Sequence, residues 1–257
     1  MNQQIATDQP FTPQRVSVVG SGRLGRVLAG ALGQAGYEVA GPLGRGETPP
    51  RADVALLCVP DAEIRAAANA VSGSARMVGH TSGVTPLTAL ATAGADQFSL
   101  HPLQTFAGHE TPRHLLGVGC AMAGSSPAAL DVARELALSL GMVPFELSDD
   151  RRPAYHAAAS TASNFLVTLQ AAAEQIAAGA GLEADHARTL LAPLVRSTVE
   201  NWAELGPERA LTGPVARGDD ETVAIQRAAV AETAPELLGL FDVMVERTRA
   251  LAAGGAA

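Results

Sequence analysis

The 257-residue sequence predicts an α/β domain with a mainly parallel sheet, followed by an all-α domain. Two observations carry that reading. As far as Leu147, short β-branched runs alternate with helical apolar periodicity, which implies right-handed crossovers and a sheet with helices on both faces. From Arg152 to Ala253 no strand-like run remains, only alanine- and leucine-rich helical stretches punctuated at Gly181, Gly206-Pro207, Gly213-Pro214 and Gly218. The polar, proline-terminated segment Ser148–Pro153 is the expected boundary. It gives a loose leader over 1–13, an α/β domain over 14–149 and a helical domain over 150–253.

The elements follow in order. Arg15–Gly20 (RVSVVG) is a short β-branched run of the kind that forms a buried parallel strand. Leu24, Val27, Leu28, Ala31 and Leu32 then recur at helical spacing, and Gly36 stops that helix. Further strands are expected at Tyr37–Ala40, Asp53–Val59, Arg76–His80, Asp96–Leu100, Val118–Ala121 and Met142–Leu147. Asp61, after Pro60, is the expected N-cap of a helix reaching Val71. Ser126 is the expected N-cap of a helix over Pro127–Leu140, with proline at the first helical position, where it is tolerated. Asp219 is placed to cap a helix over Thr222–Ala234, and the Ala-Gly-rich tail from Ala252 is expected to fray.

Composition excludes several classes. A net charge of −8 and an isoelectric point near 5.2 do not suit a nucleic-acid partner. No apolar run reaches the roughly 20 residues that span a bilayer, and Met1–Pro13 lacks the features of a secretory signal. Cys58 and Cys120 sit in apolar strand-like runs and read as buried thiols, with no disulfide or metal-ligand spacing; a cytoplasmic location is expected. All 18 basic residues are arginine, so lysine Schiff-base chemistry and a lysine proton donor are both excluded. An acid or base must come from His, Tyr, Cys, Asp, Glu or water.

Gly20-Ser21-Gly22-Arg23-Leu24-Gly25 is GxGxxG placed directly after a strand and before a helix, which marks a dinucleotide-binding Rossmann domain. Gly20 permits the tight turn, Gly22 lets backbone approach a pyrophosphate, and Gly25 allows close helix–strand packing. The helix N-terminus offers free N–H groups and partial positive charge to the anion. An NAD site would carry an acid about 20 residues further on. That count reaches Arg45 in Gly44-Arg45-Gly46, with Glu47 the nearest acid. An arginine there suits the 2′-phosphate of NADP, with Arg23 as a second contact. Arg45 also reads as an ordinary solvated loop charge.

Ligands of open α/β sheets bind beyond the carboxyl ends of the strands. Val59 and Pro60, Thr81 and the segment around His101 meet that condition, Val59 and Pro60 toward the nicotinamide, Thr81 toward the carboxamide or substrate, and His101 toward substrate. His80 and His101 are equally readable as structural. In RPAYHAAASTASNFLVTLQ, His156, Ser160 and Asn164 stand four apart, and on one helix they would line one face. Such a stripe needs partners, either a bound substrate or another helix. His156 is the side chain best suited to protonate a developing alkoxide, and Tyr155 is expected to point elsewhere. Arg217, in LTGPVARGD, is placed to meet a substrate carboxylate, or belongs to an ordinary turn before the Asp219 cap.

The glycine motif, HPLQTF, YHAAASTASNFLVTL and LTGPVARGD together resemble, from Arg15 to about Arg247, a family of Rossmann-like oxidoreductases with an uncharacterised helical C-terminal domain. That family is similar in outline to ketopantoate reductase, pyrroline-5-carboxylate reductase and the deazaflavin-dependent NADP oxidoreductases. In ketopantoate reductases a helix opening the second domain carries a catalytic lysine followed at four-residue steps by asparagines. His156, Ser160 and Asn164 occupy the matching positions, keeping only the last asparagine. The resemblance implies an NADPH-dependent reductase of a small 2-oxo acid, ketopantoate-like, with a histidine proton donor and a homodimer formed through the helical domain. Reduction of a cyclic imine is a second reading, and a non-catalytic NADP-binding sensor a third.

Overall fold

The computed structural model describes residues 11–254, which fall into two compact units that divide between Ser163 and Asn164. The first contains β1 (Arg15–Val19), α1 (Arg23–Gln34), β2 (Glu38–Leu43), β3 (Ala52–Leu57), α2 (Ile64–Ala70), β4 (Ala75–His80), β5 (Asp96–Pro102), β6 (Gly119–Gly124), α3 (Pro127–Ser139), β7 (Val143–Glu146) and α4 (Arg152–Ala162). The strands make one seven-stranded sheet in the order β2-β1-β3-β4-β5-β6-β7. The chain runs from β1 outward to β2 and then back across β1 to β3. The carboxyl ends of β1 and β3 therefore flank the crevice where ligands of open α/β sheets bind.

The third strand shows why the apolar run is continuous. Successive side chains of a strand face opposite sides. Val54 and Leu56 join one buried cluster with Val16, Val18, Leu28, Phe98 and Leu136, while Ala55 and Leu57 join the other with Ile64, Ala68, Val78 and Leu90. Both faces are covered, so neither set can be polar.

The Ser126 hydroxyl accepts from Ala129 N–H at 3.2 Å, the expected cap of α3. The sheet is mainly parallel as expected, with one antiparallel pair, and two other expectations are corrected. β6 lies antiparallel to β5, with His101 opposite Ala121; the link 103–118 holds only a 3-10 turn, and no crossover helix carries the chain back to the start of the sheet. Asp61 caps nothing: it opens a 3-10 turn over Asp61–Glu63, whose own N-cap is Pro60, and α2 begins only at Ile64. The leader falls largely outside the described residues, but its end is docked, since Phe11 packs on the core under the Arg76 guanidinium, 4.1 Å from the ring centroid.

The units divide later than the Ser148–Pro153 segment. Arg152 is completely buried, bonded through Nε to Asp149 Oδ1 at 2.6 Å and through its two terminal nitrogens to the Ser99 hydroxyl and the Ser82 carbonyl. Those bonds hold the start of α4 on the ends of β4 and β5.

The second unit contains α5 (Asn164–Gly179), α6 (Ala184–Leu205), α7 (Pro207–Ala210), α8 (Asp220–Thr233) and α9 (Leu238–Ala252). Asp219 caps α8 as expected, accepting from Thr222 N–H at 3.1 Å. Bidentate Arg188–Glu174 and Arg227–Asp242 pairs tie α6 to α5 and α8 to α9. Gly179 permits the close approach of α5 to α8, because a methyl group there would meet Thr233 Cβ at 2.4 Å. No helix among the described residues is long and apolar enough to cross a membrane.

Candidate functional site

The three fingerprint glycines do different work. Gly20 has φ +117°, and a methyl group on it would stand 2.2 Å from the Cys58 carbonyl oxygen. A methyl group on Gly25 would stand 1.9 Å from the Gly20 carbonyl oxygen. These two let β1, β3 and α1 close on one another. Gly22 differs: it is the N-cap of α1 in extended geometry, and nothing lies within 4 Å of an added methyl group. No side chain caps α1, and its first turn holds no acid, so its leading N–H groups face open space with their partial positive charge uncompensated. The residues present thus fit a dinucleotide pyrophosphate. Ser21 is exposed on this turn, whereas the Leu24 side chain packs into the core. Arg23 donates to the Phe106 carbonyl at 3.2 Å and Arg26 to the Ser21 carbonyl at 2.8 Å. Both arginines line a cavity of about 270 Å³ with Val27, Gly108, Glu110 and Thr111.

Beyond β2, Arg45 is exposed and forms an ion pair with Glu63 at 2.9 Å. An exposed pair of this kind contributes little and yields readily to a better anion. Glu47 accepts from Gly44 N–H, and a methyl group on Gly44 would stand 3.1 Å from its carboxylate and 4.0 Å from the Ser21 hydroxyl.

The ends of β3, β4 and β5 bring the other candidates together. Val59 is half-buried and Pro60 exposed after β3. Thr81 is buried, its N–H donating to the Leu57 carbonyl at 3.1 Å. Cys58 lies against the glycine turn, and burial pushes its thiol up to about 12, which leaves it unreactive at neutral pH. His80 is fully buried, and its Nδ1 accepts from Ser82 N–H at 3.2 Å; burial and the neighbouring Arg152 bring it down to about 4. It is a neutral, structural histidine.

Gly83 forms the floor. A methyl group on it would stand 2.9 Å from His101 Nε2 and 3.0 Å from His156 Cδ2, so two imidazoles meet over this glycine. The His101 Nδ1 lies 2.8 Å from the Tyr155 hydroxyl, and Tyr155 packs edge-on against both His101 and Phe145. Burial, then the nearby His156 and Arg152, hold His101 down at about 4. Tyr155 is pushed up to about 12 by burial and keeps its proton.

Sequence reasoning missed Tyr155, Arg152 and Gly83. The expectation that Tyr155 points elsewhere is corrected: Arg152, Tyr155 and His156 stand at i, i+3 and i+4, one face of α4, and that face meets the sheet. The signal lies in the same helical spacing read backward from His156. The forward stripe is interrupted. α4 ends at Ala162, Ser163 caps it at φ −116°, ψ −74° with its N–H still donating to the Ala159 carbonyl at 3.1 Å, and Asn164 opens α5 as an exposed residue. Ser160, half-buried one turn after His156, shares its helix; Asn164 does not. Arg217 is exposed on the turn before Asp219. Asn164 and Arg217 belong to the second unit, and the site described is composed of first-unit residues alone. Among the described residues no group of His, Cys, Asp and Glu side chains gathers as a metal site.

The chain belongs to the family described as a domain of unknown function (DUF2520), which it matches over residues 118–248. No curated protein matches it. Among solved structures it is similar to a Bacteroides fragilis protein named as an NADP oxidoreductase, with TM-score 0.75 and 19% identity over 92% of this chain and 98% of that one. A Thermotoga maritima protein aligns with TM-score 0.73 and 23% identity over 93% and 98% of the two chains. A 1-pyrroline-5-carboxylate reductase from Streptococcus pyogenes aligns with TM-score 0.61 and 13% identity over 92% and 98%. At these identities the likeness establishes the Rossmann-type α/β fold followed by helices.

Proposed function

We propose that the first unit binds NADPH along its glycine turn and reduces a small carbonyl or imine compound at the ends of β3, β4 and β5. One observation carries this reading: of three fingerprint glycines, two are closed by neighbouring backbone and the middle one opens onto space at an uncapped helix end. The free N–H groups of α1, with Gly20, Ser21, Gly22 and Arg23 around them, would hold the pyrophosphate. Arg45 would exchange Glu63 for the 2′-phosphate. Val59, Pro60 and Thr81 would flank the nicotinamide end.

When bound, NADPH supplies the hydride. His156 holds the proton for the substrate oxygen or nitrogen, and Ser160 stands one turn along the same helix face to steady that atom. A small 2-oxo acid of the ketopantoate kind is the first proposed substrate, in keeping with the His156–Ser160 step. A cyclic imine is the second, supported by the pyrroline-5-carboxylate reductase among the structural neighbours. The proposed assembly is a homodimer through the second unit, where Phe165, Val167, Leu194, Trp202 and Ile225 are all more than half exposed; sedimentation at a single-chain mass would refute it.

The test is a fluorescence titration with each reduced cofactor, followed by turnover of a His156→Ala variant. NADPH should bind more tightly than NADH, and the variant should lose about a hundredfold or more in rate at unchanged cofactor affinity. Equal or tighter binding of NADH would overturn the NADP assignment, and an unchanged rate would remove His156.

A further inference from the structure

His101 and Tyr155 are not explained by a single proton donor at His156. The His101 ring stands at the end of β5 with Nδ1 turned to Tyr155 and Nε2 turned over Gly83 beside His156. Among the described residues Nε2 makes no hydrogen bond, and it is not one of the sealed-off polar atoms; only His80 Nε2 is. Gly83 is what leaves room for it, because any side chain there would collide with the His101 ring.

The hydrogen bond between Tyr155 and His101 has two senses. If the imidazole donated from Nδ1, the phenol O–H would be left to solvent, since no second acceptor is found among the described residues. If the phenol donates, every group is satisfied except Nε2–H, which faces the open side. A phenol is also a stronger donor than a neutral imidazole N–H, and an imidazole nitrogen a stronger acceptor than a phenol oxygen. The Nε2–H tautomer follows on both counts.

We propose that His101 serves as a neutral hydrogen-bond donor, through Nε2–H, to the substrate atom that gains charge, and that Tyr155 is the positioning residue that fixes this tautomer. The role of His101 rests on the reductase reading above, whereas the tautomer stands without it. His101 would polarise the carbonyl or imine and retain its own proton, while His156 gives the proton that is transferred. Neutrality suits this task, since a charged ring at this site would be buried and repelled by Arg152. The groups facing His101 are Arg152, Tyr155 and His156 from α4, His80 from β4 and Asp61 from the turn after β3; only Asp61 favours the charged ring.

The experiment is long-range ¹H–¹⁵N correlation of the histidine side chains in the full-length ¹⁵N-labelled protein, with His101 assigned by its loss in His101→Gln. In the wild type at neutral pH, His101 should show a protonated Nε2 and a bare Nδ1, and should resist protonation down to about pH 4. Tyr155→Phe keeps the ring against Phe145 and removes the hydroxyl. It should leave a mixture of tautomers and lower kcat about tenfold with KM for NADPH unchanged. A wild-type spectrum with protonated Nδ1 overturns the proposal even if the variant fails to fold. An unaltered tautomer in Tyr155→Phe removes Tyr155 from the positioning role. If the spectrum is as expected but no carbonyl or imine is turned over, the reductase reading fails and the tautomer assignment survives.

Discussion

Alanine at Gly25 and alanine at Gly22 should separate the architecture of the glycine turn from its ligand. At Gly25 the new methyl group would stand 1.9 Å from the Gly20 carbonyl oxygen, about 1.5 Å inside an ordinary contact of 3.4 Å. The clashing atom is backbone held between two strands, so no side-chain rotation relieves it. Alanine would gain up to about 1 kcal/mol in helix propensity, but overpacking costs about 1–3 kcal/mol and more when backbone must move. A net loss of about 2 kcal/mol or more follows, a Tm drop of roughly 5 °C for a domain of this size. At Gly22 the backbone is at φ −65°, ψ −176°, open to any residue, and the methyl group meets nothing within 4 Å. Its Tm should hold or rise slightly, because a less flexible unfolded chain contributes about 0.4–1 kcal/mol. The same methyl group would occupy the proposed pyrophosphate space and cost one or more charge-assisted hydrogen bonds, about 1.5–3 kcal/mol each, or roughly ten- to a hundredfold in Kd. Scanning calorimetry and NADPH titration on both variants decide the matter. Wild-type affinity in Gly22→Ala, or an unfolded Gly22→Ala, would contradict a pyrophosphate seated against Gly22.

Arg152→Met should cost about 3 kcal/mol, because it strands buried Ser99 and leaves Asp149 without its guanidinium; denaturant unfolding that moves by less than 1 kcal/mol would contradict the anchoring of α4. Arg45→Glu should weaken NADPH at least tenfold and leave NADH nearly untouched, and parallel loss of both would refute the 2′-phosphate contact. Stability should depend on pH through His80 and His101, both at about 4 when folded against 6.5. Between those values the unfolded chain binds protons that the folded one refuses, so stability is full above about pH 6.5 and falls as pH drops toward 4. The slope of unfolding free energy over that window should approach two protons and lessen in His101→Gln; a flat curve would refute the burial of these rings.

Much of the sheet was legible because burial on both faces forces apolar runs, as in β1, β3 and β4. The direction of β6 was not, since antiparallel return depends on how the link 103–118 packs and not on periodicity within Gly119–Gly124. The break at Ser163 was equally silent: Ser and Asn are tolerated inside helices, and nothing in ASTASNF stops one. The same break moved the boundary of the first unit past α4. The site was half legible. Spacing named His156, and strand ends named His101 and Thr81, but the bond between His101 and Tyr155 joins residues 54 apart and exists only once α4 is laid across β5. Arg152 escaped notice because buried arginines are rare and its partners, Asp149 and Ser99, come from different elements.

NADPH oxidation, followed by absorbance across a panel of 2-oxo acids and cyclic imines, is the decisive measurement of reductase activity. At least one member should be turned over, faster with NADPH than with NADH, and His156→Ala should slow that turnover about a hundredfold or more. Tight NADPH binding with no turnover anywhere on the panel would contradict the reductase reading and favour a protein that senses the cofactor without using it.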